Sequence, residues 1–314
     1  MDAPRMAMID IVLATYNGAS HLREQLESLL RQDSNNWRLL VRDDGSTDET
    51  VAVLSTYAQR FPDQVILLPC PDGNLGARGN FSKLLLNADA DYVMLCDQDD
   101  LWLPDKISKT LSEMQRLEAS FGKTTPLLVH TDFRVVDEQL RVLAESGWRY
   151  QETDPGRSAL NQLLVQNVAT GCTIMINRAL REIALPVPPE ALMHDWWLAL
   201  VASAFGRIGC LRQPTLLYRQ HAGNEVGAQN WSAAYILGLI SQLAFIRKVM
   251  ARNRVQAKVF YECYQTSLSE RDKALLETFF LMPEHGVLRR RLNIVRYGIF
   301  YTGTIRNIGW LLLC

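Results

Sequence analysis

Three short apolar segments in the first hundred residues each run directly into a cluster of polar side chains. Segments 9–14, 39–41 and 92–96 have the apolar character of buried strands, interrupted only by Asp10, and apolar residues at helical spacing follow the first two. Strands that alternate with helices predict crossover units and a mostly parallel sheet. Ligands bind beyond the carboxyl ends of such strands, where the polar clusters fall. The sequence therefore predicts an α/β fold with a ligand site at these strand ends.

Charge and cysteine content exclude several classes of protein. The 314 residues carry a net charge of -1, which argues against a nucleic-acid binder that relies on bulk positive charge. The six cysteines include no CxxC pair, so they read as reduced, packed thiols and not as a zinc site. The first residues do not resemble a secretory signal, and we expect a cytoplasmic protein.

The C-terminal part has a different character from the rest. Residues 231–314 contain 12 basic and 5 acidic residues, a net charge of +7. Segment 226–246 is uncharged, but glutamine, asparagine and serine interrupt its apolar surface, so we do not expect it to span a membrane. Arginines interleaved with aromatic residues predict amphipathic helices that lie on the inner face of the cytoplasmic membrane, on an anionic leaflet. A helical tail packed on its own domain is the alternative.

The densest acidic cluster is Asp97-Gln98-Asp99-Asp100, which follows an apolar strand. Close carboxylates at an effective dielectric near 20 repel by roughly 4 kcal/mol per pair, so a positive charge should offset them. A divalent cation completed by diphosphate oxygens fits that need. An Asx turn that caps the helix after Pro104 would explain one of these residues but not three.

The second acidic cluster, Asp43-Asp44-Gly45-Ser46, has a local interpretation as well as a functional one. Ser46 and Glu49 fit a capping box, and Asp44-Gly45 fits a tight turn. At a strand end beside Thr15-Tyr16-Asn17, however, its carboxylate and backbone groups would also suit a pocket for a nucleobase and a ribose.

The polar clusters at residues 14–18, 43–48 and 97–99, followed along the chain by His194-Asp195-Trp196-Trp197, resemble family 2 glycosyltransferases, inverting enzymes with the GT-A fold, and the resemblance covers roughly residues 7–225. It implies an α/β, Rossmann-like, mostly parallel central sheet flanked by helices, with a C-terminal helical region. It also implies Asp195 as general base and Asp99 as metal ligand. The other implied residues hold the nucleotide; they are Thr15, Tyr16, Asn17, Asp43, Asp44 and Asp97. The clusters that carry the resemblance are Ala14-Thr15-Tyr16-Asn17-Gly18, Asp43-Asp44-Gly45-Ser46-Thr47-Asp48, Asp97-Gln98-Asp99 and His194-Asp195-Trp196-Trp197.

Further site residues are expected on weaker signals. His221, in Tyr218-Arg219-Gln220-His221, resembles a third metal ligand of related enzymes, although a lone histidine is more often structural. Carboxylate and imidazole together would favour Mn²⁺ modestly over Mg²⁺. Arg78, in a loop with Gly76 and Asn80, is expected to reach a diphosphate. The vicinity of donor sugar and acceptor is assigned to Gly171, Cys172, Thr173, His194 and Trp196, with Cys172 as a packed thiol and not a nucleophile.

These residues predict the inverting transfer of one sugar from a nucleoside diphosphate to a saccharide or lipid-linked saccharide. Processive synthesis is less expected, because the family's processive branch carries a Gln-x-x-Arg-Trp element and this chain has no Arg-Trp dipeptide. The clusters around His194 and in Tyr218-Arg219-Gln220-His221-Ala222-Gly223-Asn224 look most like bacterial rhamnosyltransferases of surface polysaccharide assembly, which makes dTDP-L-rhamnose the expected donor.

Three alternatives stay open at the level of sequence. The first is a UDP-hexose or UDP-HexNAc transferase of the same fold. The second is a nucleotidyltransferase, which would carry a Gly-rich basic loop after the first strand, where Tyr16-Asn17-Gly18 stands instead. The third is a non-catalytic nucleotide-sugar-binding subunit of a membrane complex, against which the presence of Asp195 counts.

The same reasoning divides the chain. We expect a catalytic domain over residues 1–230, with a nucleotide-binding half of about residues 1–100 and an acceptor half of about residues 101–230. A basic amphipathic helical tail follows over residues 231–314.

Overall fold

The computed structural model describes residues 8–221 and 243–313, with the side chains of residues 243–246 excepted. The expected domain boundary at residue 230 and Ala222-Gly223-Asn224 lie outside the described residues, as does the uncharged segment 226–246 apart from its last four residues.

The predicted strand and helix repeats form the parallel half of a central sheet. The strands stand in the order β3-β2-β1-β4, and each neighbouring pair is parallel. Crossover helices connect them, as the alternating pattern predicted. The elements are β1 (Ile9–Thr15), α1 (Ala19–Leu30), β2 (Trp37–Asp43), α2 (Thr50–Arg60), β3 (Val65–Leu67), α3 (Gly76–Asn87) and β4 (Tyr92–Cys96).

The second half of the sheet is mixed. It continues from β4 in the order β8-β6-β9-β5, with β7 paired to β6. Strand β8 is antiparallel to both β4 and β6, whereas β6 and β9 are parallel. Its elements are β5 (Leu101–Trp102), α4 (Lys106–Phe121), β6 (Leu127–Val136), β7 (Val142–Ala144), α5 (Gly147–Tyr150), α6 (Leu160–Leu163), β8 (Ile174–Asn177), α7 (Arg178–Ala184), α8 (His194–Phe205) and β9 (Arg207–Arg219).

Both faces of the sheet are buried, as expected for a sheet with helices on each side. On β1, Val12 faces one core and Ile11 and Leu13 face the other, following the period of two of a strand. The first core contains α3 and α8, and the second contains α1, α2 and α4. The expected α/β fold class is confirmed.

Two local expectations differ from the structure. Helix α2 begins at Thr50, and the Oδ1 atom of Asp48, not a Ser46 and Glu49 capping box, accepts from the Thr50 backbone N–H at 3.0 Å. Strand β9 has 13 residues and was not expected. Its polar residues and Pro214 hide the strand pattern, which only the pairing with β6 reveals.

The C-terminal helices pack on the catalytic unit. They are α9 (Leu243–Tyr264), α10 (Glu270–Phe280), α11 (Val287–Tyr297) and α12 (Thr304–Leu313). Phe260 and Trp310 belong to the same hydrophobic core as Trp197 of α8. The Asn161 side chain donates to the carbonyl oxygens of Tyr297 and Gly298, each at 2.9 Å. Among the described helices, none is long and apolar enough to cross a membrane.

Candidate active site

The polar clusters after β1 and β4 are joined by one side chain. Gln98 accepts from the Tyr16 backbone N–H at 2.9 Å and donates to the Tyr16 carbonyl oxygen at 3.0 Å. A Cβ atom on Gly18 would lie 2.2 Å from the Gln98 Oε1 atom, so a larger residue there would displace Gln98 from this link. The Tyr16 side chain is left 50% exposed beside this link.

The cluster after β2 is tied to the end of β1. Thr15 donates its hydroxyl to the Asp43 Oδ2 atom at 2.9 Å, and Asp43 Oδ1 accepts from the Ser46 backbone N–H at 2.8 Å. The Asn17 Oδ1 atom accepts from the Thr47 backbone N–H at 2.8 Å. The structure thus brings together the three clusters that the sequence placed at strand ends.

Asp44 has a different environment from its neighbour Asp43. It is 2% exposed, and its Oδ1 atom accepts from the Arg42 guanidinium at 2.6 Å. Its Oδ2 atom accepts from the backbone N–H groups of Leu75 and Gly76 at 3.0 and 2.7 Å. Asp44 therefore fixes the start of helix α3 against β2, and its expected contact with a nucleotide stays a prediction.

Asp99 and His221 meet at the mouth of the site. The His221 Nε2 atom lies 2.9 Å from the Asp99 Oδ2 atom, and their side chains are 15% and 16% exposed. The buried Arg219, at the end of β9, donates to the carbonyl oxygen of Asp99 at 3.1 Å and also pairs with Glu24. Strand β9 thereby carries His221 to the acidic loop.

Asp97, Asp100 and Cys172 form a second cluster, in which Asp100 and Cys172 are fully buried. Ligand atoms of Asp97, Asp100 and Cys172 lie within 4.8 Å of one another. Burial raises the pKa of Asp100 and that of the Cys172 thiol well above their usual values. Cys172 is thus a neutral thiol at neutral pH, consistent with the expectation that it is not a nucleophile.

Lys106 supplies positive charge under this acidic group. It is fully buried, and its Nζ atom donates to the Thr215 hydroxyl at 3.2 Å. Burial lowers the pKa of Lys106 to about 8, and the neighbouring Cys172, Cys96 and Asp100 oppose that shift. Its ammonium group is therefore mostly protonated at pH 7. Part of the repulsion inferred from the sequence is offset by the protein itself.

Two donor sets at this strand end differ in their fit to a divalent cation. Asp97, Asp100 and Cys172 would require loss of a proton from a buried thiol, and soft sulfur does not suit Mg²⁺ or Mn²⁺. Asp99 and His221 are partly accessible and present a carboxylate oxygen and an imidazole nitrogen to one position. The second pair fits a hard or borderline divalent cation better.

Asp195 lies in the first turn of helix α8. Its Oδ1 atom accepts from the Trp196 backbone N–H at 2.6 Å. Desolvation raises the pKa of Asp195 to about 6. Hydrogen bonds from the backbone of Trp196 and Gly171 and from the side chain of Asn167 act in the opposite direction and lower this pKa. The carboxyl group is thus ionised at pH 7 and more basic than an exposed aspartate.

The remaining expected site residues surround Asp195. A Cβ atom on Gly171 would lie 3.3 Å from the His194 Nε2 atom and 3.7 Å from the Asp195 Oδ2 atom, so both groups border this glycine. His194 stacks on Phe81, and burial lowers its pKa to about 3, which keeps it neutral.

Three further expected residues are held in place by backbone contacts. Trp196 donates its indole N–H to the Leu163 carbonyl oxygen at 2.6 Å, and the Thr173 hydroxyl donates to the Thr170 carbonyl oxygen at 2.6 Å. The Arg78 guanidinium donates to the Ala191 carbonyl oxygen at 2.9 Å, near the start of α8. Its expected contact with a diphosphate stays a prediction.

Three residues that shape the site had no assigned role in the sequence interpretation: Gln98, Lys106 and Arg219. Lys106 offered a signal, because it lies four and eight residues before Thr110 and Met114 on the buried face of α4. A lysine on a core face indicates a buried anionic partner. Gln98 and Arg219 act through contacts distant in sequence, which no local pattern shows.

Comparison with known proteins agrees with this geometry. Residues 10–183 match the family described as Glycosyl transferase family 2. The chain belongs to glycosyltransferase family 2. The dTDP-rhamnosyl transferase RfbG of Shigella flexneri is 28% identical over 251 residues, which cover 76% of this chain and 82% of RfbG.

Solved structures of other glycosyltransferases share the fold. S. aureus TarS 1–349 in complex with UDP-GlcNAc has a TM-score of 0.52 at 16% identity, over 97% of this chain and 90% of that chain. The mannosyltransferase PcManGT from Pyrobaculum calidifontis, in complex with GDP-Man and Mn²⁺, has a TM-score of 0.54 at 16% identity, over 99% of this chain and 86% of that chain. The family and the GT-A fold expected from the sequence are confirmed.

The buried Asp44 generates a stability prediction. We expect Asp44→Asn to lower the free energy of unfolding by about 3–5 kcal/mol, because it leaves the buried Arg42 guanidinium without its anion. The measurement is urea denaturation followed by circular dichroism. The matched control is Asp72→Asn, which removes an exposed ion pair with Lys83 and should cost no more than about 1 kcal/mol. Equal losses in both variants would contradict the structural role of Asp44.

Proposed function

We propose that this glycosyltransferase moves a single L-rhamnosyl group from dTDP-L-rhamnose to a saccharide or lipid-linked saccharide acceptor, with inversion. The chemistry depends on the Asp195 carboxyl group, which borders Gly171. Burial raises the pKa of this carboxyl group to about 6. Gly171 adjoins Cys172, whose thiol lies against Asp100 at the end of β4. The candidate base is thereby connected to the strand end where the nucleotide is expected.

Asp195 acts as general base in this proposal. An acceptor hydroxyl is a poor nucleophile, so its proton must leave as its oxygen attacks the anomeric carbon. Asp195 accepts that proton, the new glycosidic bond forms, and the bond between the anomeric carbon and the diphosphate oxygen breaks on the opposite face. A base with a pKa of about 6 is ionised at neutral pH yet retains affinity for the proton.

The three joined loops would hold the nucleotide. The exposed Tyr16 ring offers a face on which a base stacks, and Thr15, Asn17 and Asp43 surround it through the hydrogen bonds described above. Asp97 is assigned to the ribose. Asp44 would act by holding helix α3 in place, and Arg78 lies on that helix.

A divalent cation, Mn²⁺ or Mg²⁺, is part of the proposal. Asp99 and His221 would hold it, and when bound it would offset the negative charge that develops on the departing diphosphate. Arg219 keeps both ligands in position through its hydrogen bond to the Asp99 backbone. The Mn²⁺ in the PcManGT complex supports the proposal, because that protein has the same fold and holds a divalent cation.

The choice of rhamnose is supported by the likeness to the rhamnosyl transferase RfbG and by the clusters around His194 and His221. The UDP-GlcNAc in the TarS complex makes a UDP-sugar transferase the competing candidate. A non-catalytic nucleotide-sugar-binding subunit would not need a carboxyl group tuned like that of Asp195.

The base assignment is tested by Asp195→Asn. We expect turnover to fall by a factor on the order of 10² to 10⁴ while donor binding is kept, because the amide preserves the contacts but accepts no proton. In the unsubstituted enzyme, kcat should fall about tenfold per pH unit below pH 6, since protonation removes the base. The control is Asp63→Asn on the exposed turn before β3. Unchanged turnover in Asp195→Asn would reassign the residue to a structural role.

The cation is tested by chelation and by its ligands. We expect turnover to be abolished by excess EDTA and restored by Mn²⁺ or Mg²⁺, and Asp99→Ala to be inactive with an unchanged circular dichroism spectrum. His221→Gln should weaken Mn²⁺ binding, measured by electron paramagnetic resonance, whereas His285→Gln, in the turn between α10 and α11, should not. Full turnover in EDTA would rule out the metal-dependent reaction.

The donor is tested by thermal shift and transfer assays with a panel of nucleotide sugars. At equal concentrations, dTDP-L-rhamnose should raise the Tm more than UDP-glucose, UDP-galactose or UDP-GlcNAc, because the tighter ligand stabilises the folded state more. It should also be the substrate consumed. A preference for a UDP-sugar would favour the competing candidate, and donor binding without transfer to any saccharide would favour the non-catalytic subunit.

A further inference from the structure

Helix α11 carries an apolar stripe that faces solvent. Leu288, Leu292 and Val295 are 73%, 61% and 63% exposed, and their spacing of four and three residues places them on one side of the helix. Ile294, which is fully buried, anchors the opposite side to the core. One side of helix α11 therefore packs on the hydrophobic core, and the apolar stripe on the other side has no packing partner within the described residues.

Arginines border this stripe on both sides. At 100° per residue, Arg289 and Arg296 lie on one flank of the stripe and Arg291 lies on the other, and all three are exposed. Residues 285–314 contain five arginines and no acidic residue. An apolar centre with cationic flanks is the arrangement expected of a helix at a membrane interface.

Helix α12 carries a second apolar stripe, without exposed arginines of its own; its Arg306 side chain is 10% exposed and pairs with Glu152. Ile305, Ile308 and Leu312 are 52%, 54% and 68% exposed and share one side of the helix, while Trp310 is buried on the other. The Arg291 Nε atom donates to the Leu311 carbonyl oxygen at 3.1 Å and so holds the two helices together. We name the two stripes and their flanking arginines the basic apolar face.

A cavity of about 220 Å³ opens between α9, α11 and α12. Arg247, Arg254 and Arg290 line it together with the apolar side chains of Met250, Met282 and Leu313. Arg290 points away from the apolar stripe, on the other side of α11, and its guanidinium donates to the carbonyl oxygens of His285 and Pro283 at 2.7 and 2.9 Å, so this cavity lies behind the stripe and is not part of the membrane contact.

We propose that the basic apolar face docks the folded enzyme on the surface of an anionic phospholipid bilayer. The exposed leucines, isoleucines and valine would enter the boundary between headgroups and acyl chains, and the arginines would contact the anionic headgroups. A second copy of the chain is a poorer partner, because pairing two such faces would bring arginines together without acidic partners from these helices.

Docking through this face differs from anchoring by a free tail. Ile294, Ile299 and Trp310 are buried in the core shared with the catalytic unit, so the face is fixed relative to the active site. If the acceptor is lipid-linked, as the proposed function allows, this geometry would raise the effective concentration of enzyme near it. Membrane binding itself does not depend on which sugar is transferred, so its failure would leave the donor assignment intact.

The test is co-sedimentation of the full chain with vesicles of phosphatidylglycerol and phosphatidylcholine, and with phosphatidylcholine alone. We expect binding to the anionic vesicles that weakens as salt rises. The stripe variant Leu288→Gln, Leu292→Gln, Val295→Thr should lose that binding. The matched control Leu86→Gln, Leu143→Gln, Val142→Thr removes three similarly exposed apolar side chains elsewhere and should keep it.

The charge contribution is measured separately. Arg289→Gln with Arg296→Gln should weaken the partition coefficient at low salt by about 25-fold, since each basic residue near an anionic surface contributes about fivefold. Point substitutions are preferred to truncation, because removing α11 and α12 would also expose the core around Trp310.

Two results would overturn the proposal. One is equal sedimentation of the stripe variant and the unsubstituted chain, or no binding by either. The other is a lipid-free dimer, seen by analytical ultracentrifugation, that the stripe variant abolishes while the control retains it. That second result would assign the face to self-association.

Discussion

The candidate active site depends on how the negative charge at the carboxyl ends of β2 and β4 is offset. Asp43, Asp97, Asp99 and Asp100 lie at these ends, where close carboxylates repel one another, and burial raises the pKa of Asp100 so that its neutral form is favoured. The ammonium group of the buried Lys106 offsets part of this negative charge. Each such group must be placed within a few ångströms, which restricts how α4 and β9 pack around the acidic loop.

The two halves of the sheet are interlocked at the same acidic loop. Strand β8 runs antiparallel beside β4, and the turn before it brings Cys172 against Asp100 and Gly171 against Asp195. Strand β9 crosses to pair with β5 and ends at Arg219, which binds the Asp99 backbone. The groups proposed for nucleotide binding, cation binding and proton transfer therefore lie on elements that cannot move independently.

The packing of the C-terminal helices on the catalytic unit, which the sequence posed as an alternative to membrane association, leaves one of their sides exposed. One side of α11 and α12 completes the hydrophobic core through Ile294 and Trp310, while the other side exposes apolar and basic residues. Packing on the catalytic unit is thus compatible with the proposed membrane contact. The strong amphipathic pattern alone did not distinguish the two sides, because both carry apolar residues at helical spacing.

The sequence by itself determined the parallel strand and helix units and the clusters after β1, β2 and β4, because periodicity and turn chemistry act over a few residues. Only the tertiary structure decided that Asp44 is enclosed by Arg42 and the start of α3, whereas the adjacent Asp43 stays at the pocket. It also decided that β9 is a strand and that Lys106 lies beneath the acidic loop. Those outcomes depend on partners distant in sequence, and the burial that selects them exists only once the sheet has formed.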